Sequence, residues 1–409
     1  MSLDVSQDPS ALGFAADRLA RIDAGFQRYI DAGQLPGWQI AVSRNGQVAH
    51  SSTAGLRDID AGIPWTDDTL ARIYSMTKPI TSVAAMMLYE EGAFELKDPV
   101  AKFIPSFADA RVYRGGPAAA PVTEPVTRPL QMWHLLTHMS GLTYGWHHRH
   151  VTDELYRKGG FEWGAPEGLT LADCCDRWAG LPLLFQPGSE WNYGVSTDVL
   201  GRVVEVLSGM SLDRFLDERI LSPLKMVDTG FYVRDDQIDR VARLYGPHPA
   251  TGKAVINPLE RTDRELPDFL SGGGGLWGTA ADYLRFCHMM LNGGELDGVR
   301  LLGTRTVDYM TRNHLPGGAD VETIGRPLSA ETMYDGVGFG LGFSVMLDPV
   351  HNRVLGSAGE YAWGGAASTI FWCDPSEQIA VVFMTQLLPT GTLTLRTNLK
   401  RLVYQALVD

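Results

Sequence analysis

The sequence predicts an α+β fold: an antiparallel sheet, flanked by an N-terminal and a C-terminal helix, is assembled from both chain ends around a largely helical middle. Three observations predict it. Near the N-terminus, two apolar runs flank Asn45-Gly46, a strong hairpin signal. Near the C-terminus, the strand-like runs Ser368 to Cys373 and Ile379 to Met384 flank the turn Asp374-Pro375-Ser376-Glu377. Between the ends, apolar residues recur at helical spacing rather than alternating. The economical division places residues 1–80 and 300–409 in one discontinuous sheet domain and 81–299 in a mainly helical domain.

Taken in order, Leu19, Ile22, Phe26 and Ile30 recur at helical spacing, and Gly33 supplies a stop, so a helix is expected over 17–32. Trp38 to Val42 and the run from Val48 form the first hairpin. Ile80, Val83, Ala84, Met87 and Leu88 mark a second helix that ends at Gly92. Gly115 to Pro129, with Pro117, Pro121, Pro125 and Pro129, reads as loop. Ser271-Gly272-Gly273-Gly274-Gly275 reads as a flexible or close-approach segment ahead of a helix over Thr279 to Leu291. Leu399, Leu402, Val403 and Leu407 share one face of a closing helix from Leu395 to Val408.

The composition, 44% apolar and 20% charged over 409 residues, suits a large globular core. A net charge of −13 without any Lys/Arg run argues against nucleic acid and anionic membranes as partners. Of four cysteines, Cys174 and Cys175 are adjacent and Cys287 and Cys373 isolated, which is neither a disulfide framework nor a zinc pattern. The first residues lack a basic and an apolar region, and no apolar run approaches the roughly 20 residues of a membrane span. A cytoplasmic protein is expected. The oligomeric state stays open.

The chemistry centres on Tyr74-Ser75-Met76-Thr77-Lys78-Pro79. Ser75 sits at a helix start and Lys78 three residues later on the same face, so the two heads can meet. Pro79 suits a first turn. Serine is a weak nucleophile until a base takes its proton. An amine one turn away serves if burial or another cation lowers its pKa. The spacing alone is weak evidence: 21 serines and seven lysines give about a third of a match by chance. A capping serine beside a solvated lysine is the competing reading. The second occurrence, Ser222-Pro223-Leu224-Lys225, precedes no long helix and reads as chance.

The chain resembles the serine β-lactamase and penicillin-binding-protein-like superfamily, and within it the class C β-lactamase-related carboxylesterases (family VIII esterases). The resemblance runs from about Leu19 to the C-terminus. It is carried by Ile73 to Pro79, His134 to Leu142, Gln186-Pro187-Gly188-Ser189, Trp191-Asn192-Tyr193, Gly272 to Thr279 and Trp363-Gly364-Gly365. It implies a β-lactamase/transpeptidase-like fold and a serine carboxylesterase acting on short-chain acyl esters without a cofactor. In that reading Ser75 is the nucleophile, and Lys78 and Tyr193 move protons, with Tyr193 favoured as phenolate by the nearby ammonium. The backbone N–H groups of Ser75 and Ala366 form an oxyanion hole, worth about 2.7–4 kcal/mol per donor. Trp363, Gly364 and Gly365 line the substrate, the glycines letting a strand approach the acyl group.

Two departures bear on substrate. Trp363 replaces the lysine that would pair with a β-lactam carboxylate. Val195 removes an amide that would bind an acylamido group. Both favour neutral esters. β-Lactam or amide hydrolysis, acyl transfer, or a non-catalytic ligand-binding relative are the alternatives on the same site. There is no G-x-S-x-G elbow. Tyr144 and Trp146 are candidates for a substrate wall. No metal is expected: His134 and His138 lack the glutamate of H-E-x-x-H, and Trp146-His147-His148-Arg149-His150 reads as a polar loop.

Overall fold

The computed structural model describes residues 3–5, 8–328, 331 and 333–409. Helix α1, Ala16–Asp31, is followed by strands β1, Gly37–Arg44, β2, Gln47–Asp58, and β3, Ile63–Pro64. Helix α2, Thr77–Glu90, starts the helical middle, which contains α3, Ser196–Ser208. Helix α4, Ala280–Leu291, leads back towards strands β4, Val337–Phe339, β5, Ser344–Met346, β6, Tyr361–Gly364, β7, Ile370–Asp374, and β8, Ile379–Thr385. Helix α5, Leu395–Tyr404, closes the chain. The eight strands form one sheet in the order β4-β5-β6-β7-β8-β1-β2-β3, with antiparallel neighbours throughout.

The expected hairpin forms, with Asn45 and Gly46 at φ 52° and 73°, as its tight primed turn requires. The two chain ends meet where β1 pairs with β8, Ile40 opposite Phe383 and Val42 opposite Val381. Side chains alternate across the sheet. Ile379, Val381 and Phe383 pack with Leu19, Ile22 and Phe26 of α1 and Leu395, Leu399 and Val403 of α5. Ala380, Val382 and Met384 face the other way, towards α4 and α2. Both sheet faces are thus covered, which explains why β8 reads as an unbroken apolar run.

Helix α2 is buried on every side from Thr77 to Leu88, not on one stripe. A helix apolar all round belongs in an interior. One buried cluster runs from Ala41 and Met384 through α2 to Trp178 and Leu200, so sheet and helical middle share a core. Helix α4 lies against the sheet although its chain position groups it with the helical stretch.

The structure corrects two elements. Part of the expected loop 115–129 is a β-hairpin, Arg111–Gly115 with Val122–Pro125. Its prolines occupy the turn and the strand end, where a ladder hydrogen bond is not needed. The closing helix stops at Tyr404 because the tail turns to pair Leu407 with Phe14. Among the described residues, no helix is long and apolar enough to cross a membrane.

Candidate active site

A short antiparallel pair, Ala71–Arg72 with Trp277–Gly278, delivers the chain to Ser75. Tyr74 adopts φ 44°, a left-handed conformation that a tyrosine holds only when its surroundings impose it. Tyr74–Met76 form one 3-10 turn, and α2 follows from Thr77. Ser75 is partly exposed while Lys78, a turn further, is 1% exposed. The second S-x-x-K behaves as expected of a chance match. Ser222 and Lys225 are exposed, Ser222 bonding Asp217 and Lys225 pairing with Asp297.

The Lys78 amine is the hub. Nζ lies 3.2 Å from Ser75 Oγ and 3.1 Å from Tyr144 Oη, and it donates to the Gly273 carbonyl at 2.6 Å. It also sits 4.5 Å from the centre of the Tyr193 ring. Burial lowers its pKa from the ordinary 10.5 to about 7, and Asp198 opposes that shift. A neutral amine has two N–H donors and one lone pair. With the donors committed to Gly273 and Tyr144, the lone pair is left for the Ser75 hydroxyl.

Tyr193 comes to the same point from the chain entering α3. Its phenol lies beside Ser75 and accepts from the Trp363 indole N–H at 3.2 Å. His147 Nε2 donates to its backbone carbonyl at 2.8 Å. Burial pushes the Tyr193 phenol above its ordinary pKa, outweighing the opposing effects of Ser75 and Trp363. Burial thus works against the expected phenolate, while it brings the neighbouring lysine down to about 7.

The other expected site residues fall as follows. Tyr144 is not only an outer wall, since its hydroxyl is on Lys78. Burial drives its pKa well up. Trp146 stacks on Tyr144 at 5.4 Å and on Trp163, 48% exposed, at 5.6 Å. These rings form a ladder leading outwards from the lysine. Trp363 is buried with its N–H on Tyr193. Gly364 and Gly365 do allow a close approach, but to protein groups. A Cβ on Gly364 would lie 2.5 Å from Arg396 Nη2, and one on Gly365 would lie 2.5 Å from the Ile73 carbonyl oxygen. The second contact brings β6 and Ala366 alongside the Ser75 turn. The histidines are used locally. His134 Nδ1 accepts from Gln131 N–H, His148 bonds Glu162, and His150 caps the helix Val151–Lys158.

Sequence reasoning missed Asp198. It lies in the first turn of α3, buried, and accepts from Ser271 Oγ at 2.6 Å and from Gly273 N–H at 3.0 Å. It thereby fixes the glycine segment whose carbonyl holds Lys78. An acidic residue in a first helical turn ordinarily reads as a cap, so only burial distinguishes this one.

The sheet order, the buried central helix and the serine–lysine pair at its start define an enzyme of β-lactamase/transpeptidase-like fold. The chain belongs to the Beta-lactamase family, which it matches over residues 22–405, and it is a hydrolase. An uncharacterized protein of Mycobacterium tuberculosis is 36% identical over 377 residues, covering 90% of this chain and 89% of that one. Esterase EstB of Burkholderia gladioli is 31% identical over 406 residues, covering 93% of each chain. Among solved structures, EstCE1, described as a hydrolase with promiscuous acyltransferase activity, superposes with a TM-score of 0.79. It is 27% identical and is matched over 95% of this chain and 99% of its own.

Proposed function

We propose that the protein is a serine carboxylesterase for short-chain acyl esters. The observation that carries this reading is the Ser75 hydroxyl 3.2 Å from a buried amine whose pKa falls to about 7. Neutral Lys78 takes the Ser75 proton as Oγ attacks the ester carbonyl. The carbonyl oxygen gathers charge against the N–H groups of Ser75 and Ala366. The Tyr193 phenol gives its proton to the departing alkoxide and is reprotonated from the Lys78 ammonium, so the alcohol leaves and an acyl-Ser75 ester remains. Water then attacks that ester, losing a proton to Lys78, and the Lys78 ammonium returns that proton to Ser75 Oγ as the carboxylic acid leaves. Tyr144 and Trp146 border the route to the lysine.

The deciding experiment is hydrolysis of p-nitrophenyl butyrate with intact-mass detection of a butyryl adduct, in wild type and in Ser75→Ala. Turnover and adduct in wild type, both absent in the variant, are expected. Full activity in Ser75→Ala would sink the reading. A second reading, acyl transfer to an alcohol on the same residues, draws on the description of EstCE1. Butyl ester formation in the presence of butanol measures its share. Nitrocefin turnover is expected to stay far below ester turnover.

Two further outcomes follow from the geometry. Trp363→Phe removes the indole donor from Tyr193 Oη, and one neutral hydrogen bond is worth about 0.5–1.5 kcal/mol. A fall in kcat of about 3- to 10-fold with little change in KM is expected. In wild type, kcat/KM should fall on the acid side of pH 7 as Lys78 takes up a proton. Asp198→Asn removes a charge that favours the ammonium, so this limb should move to lower pH. A pH–rate profile of both proteins checks the sign; a shift to higher pH contradicts it.

A further inference from the structure

An oxyanion donor works only if it is already aimed when charge develops. The Ala366 N–H follows two glycines, the residues that restrain a backbone least. Something must hold this peptide: the Ser368 N–H reaches the Gly365 carbonyl at 3.2 Å, and a buried cation from a distant element reaches it more closely. Arg396, the second residue of α5, is 5% exposed. Its Nη2 donates to the Gly365 carbonyl at 2.7 Å and to the Thr369 carbonyl at 2.8 Å. The Gly365 N–H donates to that same Thr369 carbonyl at 2.9 Å. Gly364 leaves the room through which the guanidinium passes, since a Cβ there would lie 2.5 Å from Nη2. The Glu331 carboxylate faces the same arginine, accepting from its backbone N–H and favouring its charge.

We propose that Arg396 is the positioning residue of the oxyanion hole, a role that rests on Ser75 being the nucleophile. The Gly365–Ala366 peptide is trans, so its C=O and N–H point in opposite directions in one plane. Holding the Gly365 oxygen at 2.7 Å therefore fixes the direction of the Ala366 N–H on the opposite side. A cation on the carbonyl also polarises the peptide and strengthens its N–H as a donor. The glycine pair and the arginine form one device: the glycines admit the guanidinium, and the guanidinium removes the freedom the glycines bring. Arg396 touches no reacting atom in this arrangement.

The test uses Arg396→Gln, Arg396→Lys and Gly364→Ala. The last keeps the cation and displaces it, so the test does not depend on Arg396→Gln folding. Each is assayed with p-nitrophenyl butyrate, with the anionic ester mono-p-nitrophenyl succinate, and for inhibition by butylboronic acid, whose adduct with Ser75 puts a hydroxyl in the oxyanion position. Thermal transitions identify folded variants. Removing an oxyanion donor costs on the order of 10²–10³ in kcat, and misaligning one should cost about 10- to 100-fold. KM for the neutral ester should stay within about 3-fold, and boronic acid affinity should fall in step with kcat/KM. Arg396→Lys should recover part of the loss. Wild-type kcat in folded Arg396→Gln and Gly364→Ala overturns the proposal. So does a loss confined to KM for the anionic ester, which would make Arg396 a substrate-carboxylate site. A kcat loss with undiminished boronic acid affinity also overturns it. Ser75→Ala, run alongside, reports separately on the nucleophile.

Discussion

Ser75→Ala is expected to lower p-nitrophenyl butyrate turnover by on the order of 10⁵- to 10⁶-fold, the scale seen when a serine hydrolase loses its nucleophile. The bond to the acyl group is made by Oγ, and alanine has no atom to replace it. What survives is binding and oxyanion stabilisation, which can still assist attack by water. The fold should be indifferent. Ser75 is partly exposed and its hydroxyl contacts only Lys78 and Tyr193 among the described residues, so stability should change by less than about 1 kcal/mol. The measurement is the initial rate, with the thermal transition as control. A folded variant retaining a tenth of the wild-type rate removes Ser75 from the mechanism.

Much of this site was readable before the fold because its parts are local. Ser75 and Lys78 are one helical turn apart, and i,i+3 neighbours on a helix meet whatever the rest of the chain does. The β1–β2 hairpin is equally local, with its turn residues and apolar runs adjacent in sequence. Tyr193 is different: nothing near it in the chain marks it, and only the order of motifs separates it from a packed aromatic. The missed contributions all come from chain distance. Gly273 meets Lys78 across 195 residues and Arg396 meets Gly365 across 31, and no periodicity encodes such pairs. The Gly364–Gly365 pair at the end of β6 shows the same limit. Close approach was the right physics, but the neighbours are a guanidinium and the Ile73 carbonyl.

Several long-range contacts control one amine. Burial lowers the Lys78 pKa, Asp198 restrains that fall, and the Gly273 carbonyl and Tyr144 orient the nitrogen. Burial also raises the pKa of both Tyr144 and Tyr193, which works against a phenolate that would hold the lysine charged. Under the proposed mechanism, an amine that loses its proton near pH 7 beside a phenol that keeps its own is the pairing that serine acylation needs.

Lys78→Met should separate the catalytic worth of that amine from its structural cost. Without the base, acylation of Ser75 should slow by about 10³- to 10⁴-fold, the upper range for a single proton-transfer group, and the limb near pH 7 should vanish from the residual pH profile. Stability should move the other way. The drop from 10.5 to about 7 means that holding the charged amine in the fold costs on the order of 5 kcal/mol relative to the neutral form. Between pH 7 and 10.5 the unfolded chain binds this proton and the folded protein does not, so the wild type should gain stability as pH rises through that window and carry the full cost below it. Methionine has similar length and no charge. Its own penalty is the unpaired Gly273 carbonyl, about 1–3 kcal/mol. A net stabilisation of about 2 kcal/mol is expected at pH 6, shrinking and reversing by pH 10. Denaturant midpoints at the two pH values, read beside acylation rates, test both halves at once. A variant that loses activity and is also less stable at pH 6 would mean that Lys78 is a packed structural cation rather than a desolvated base.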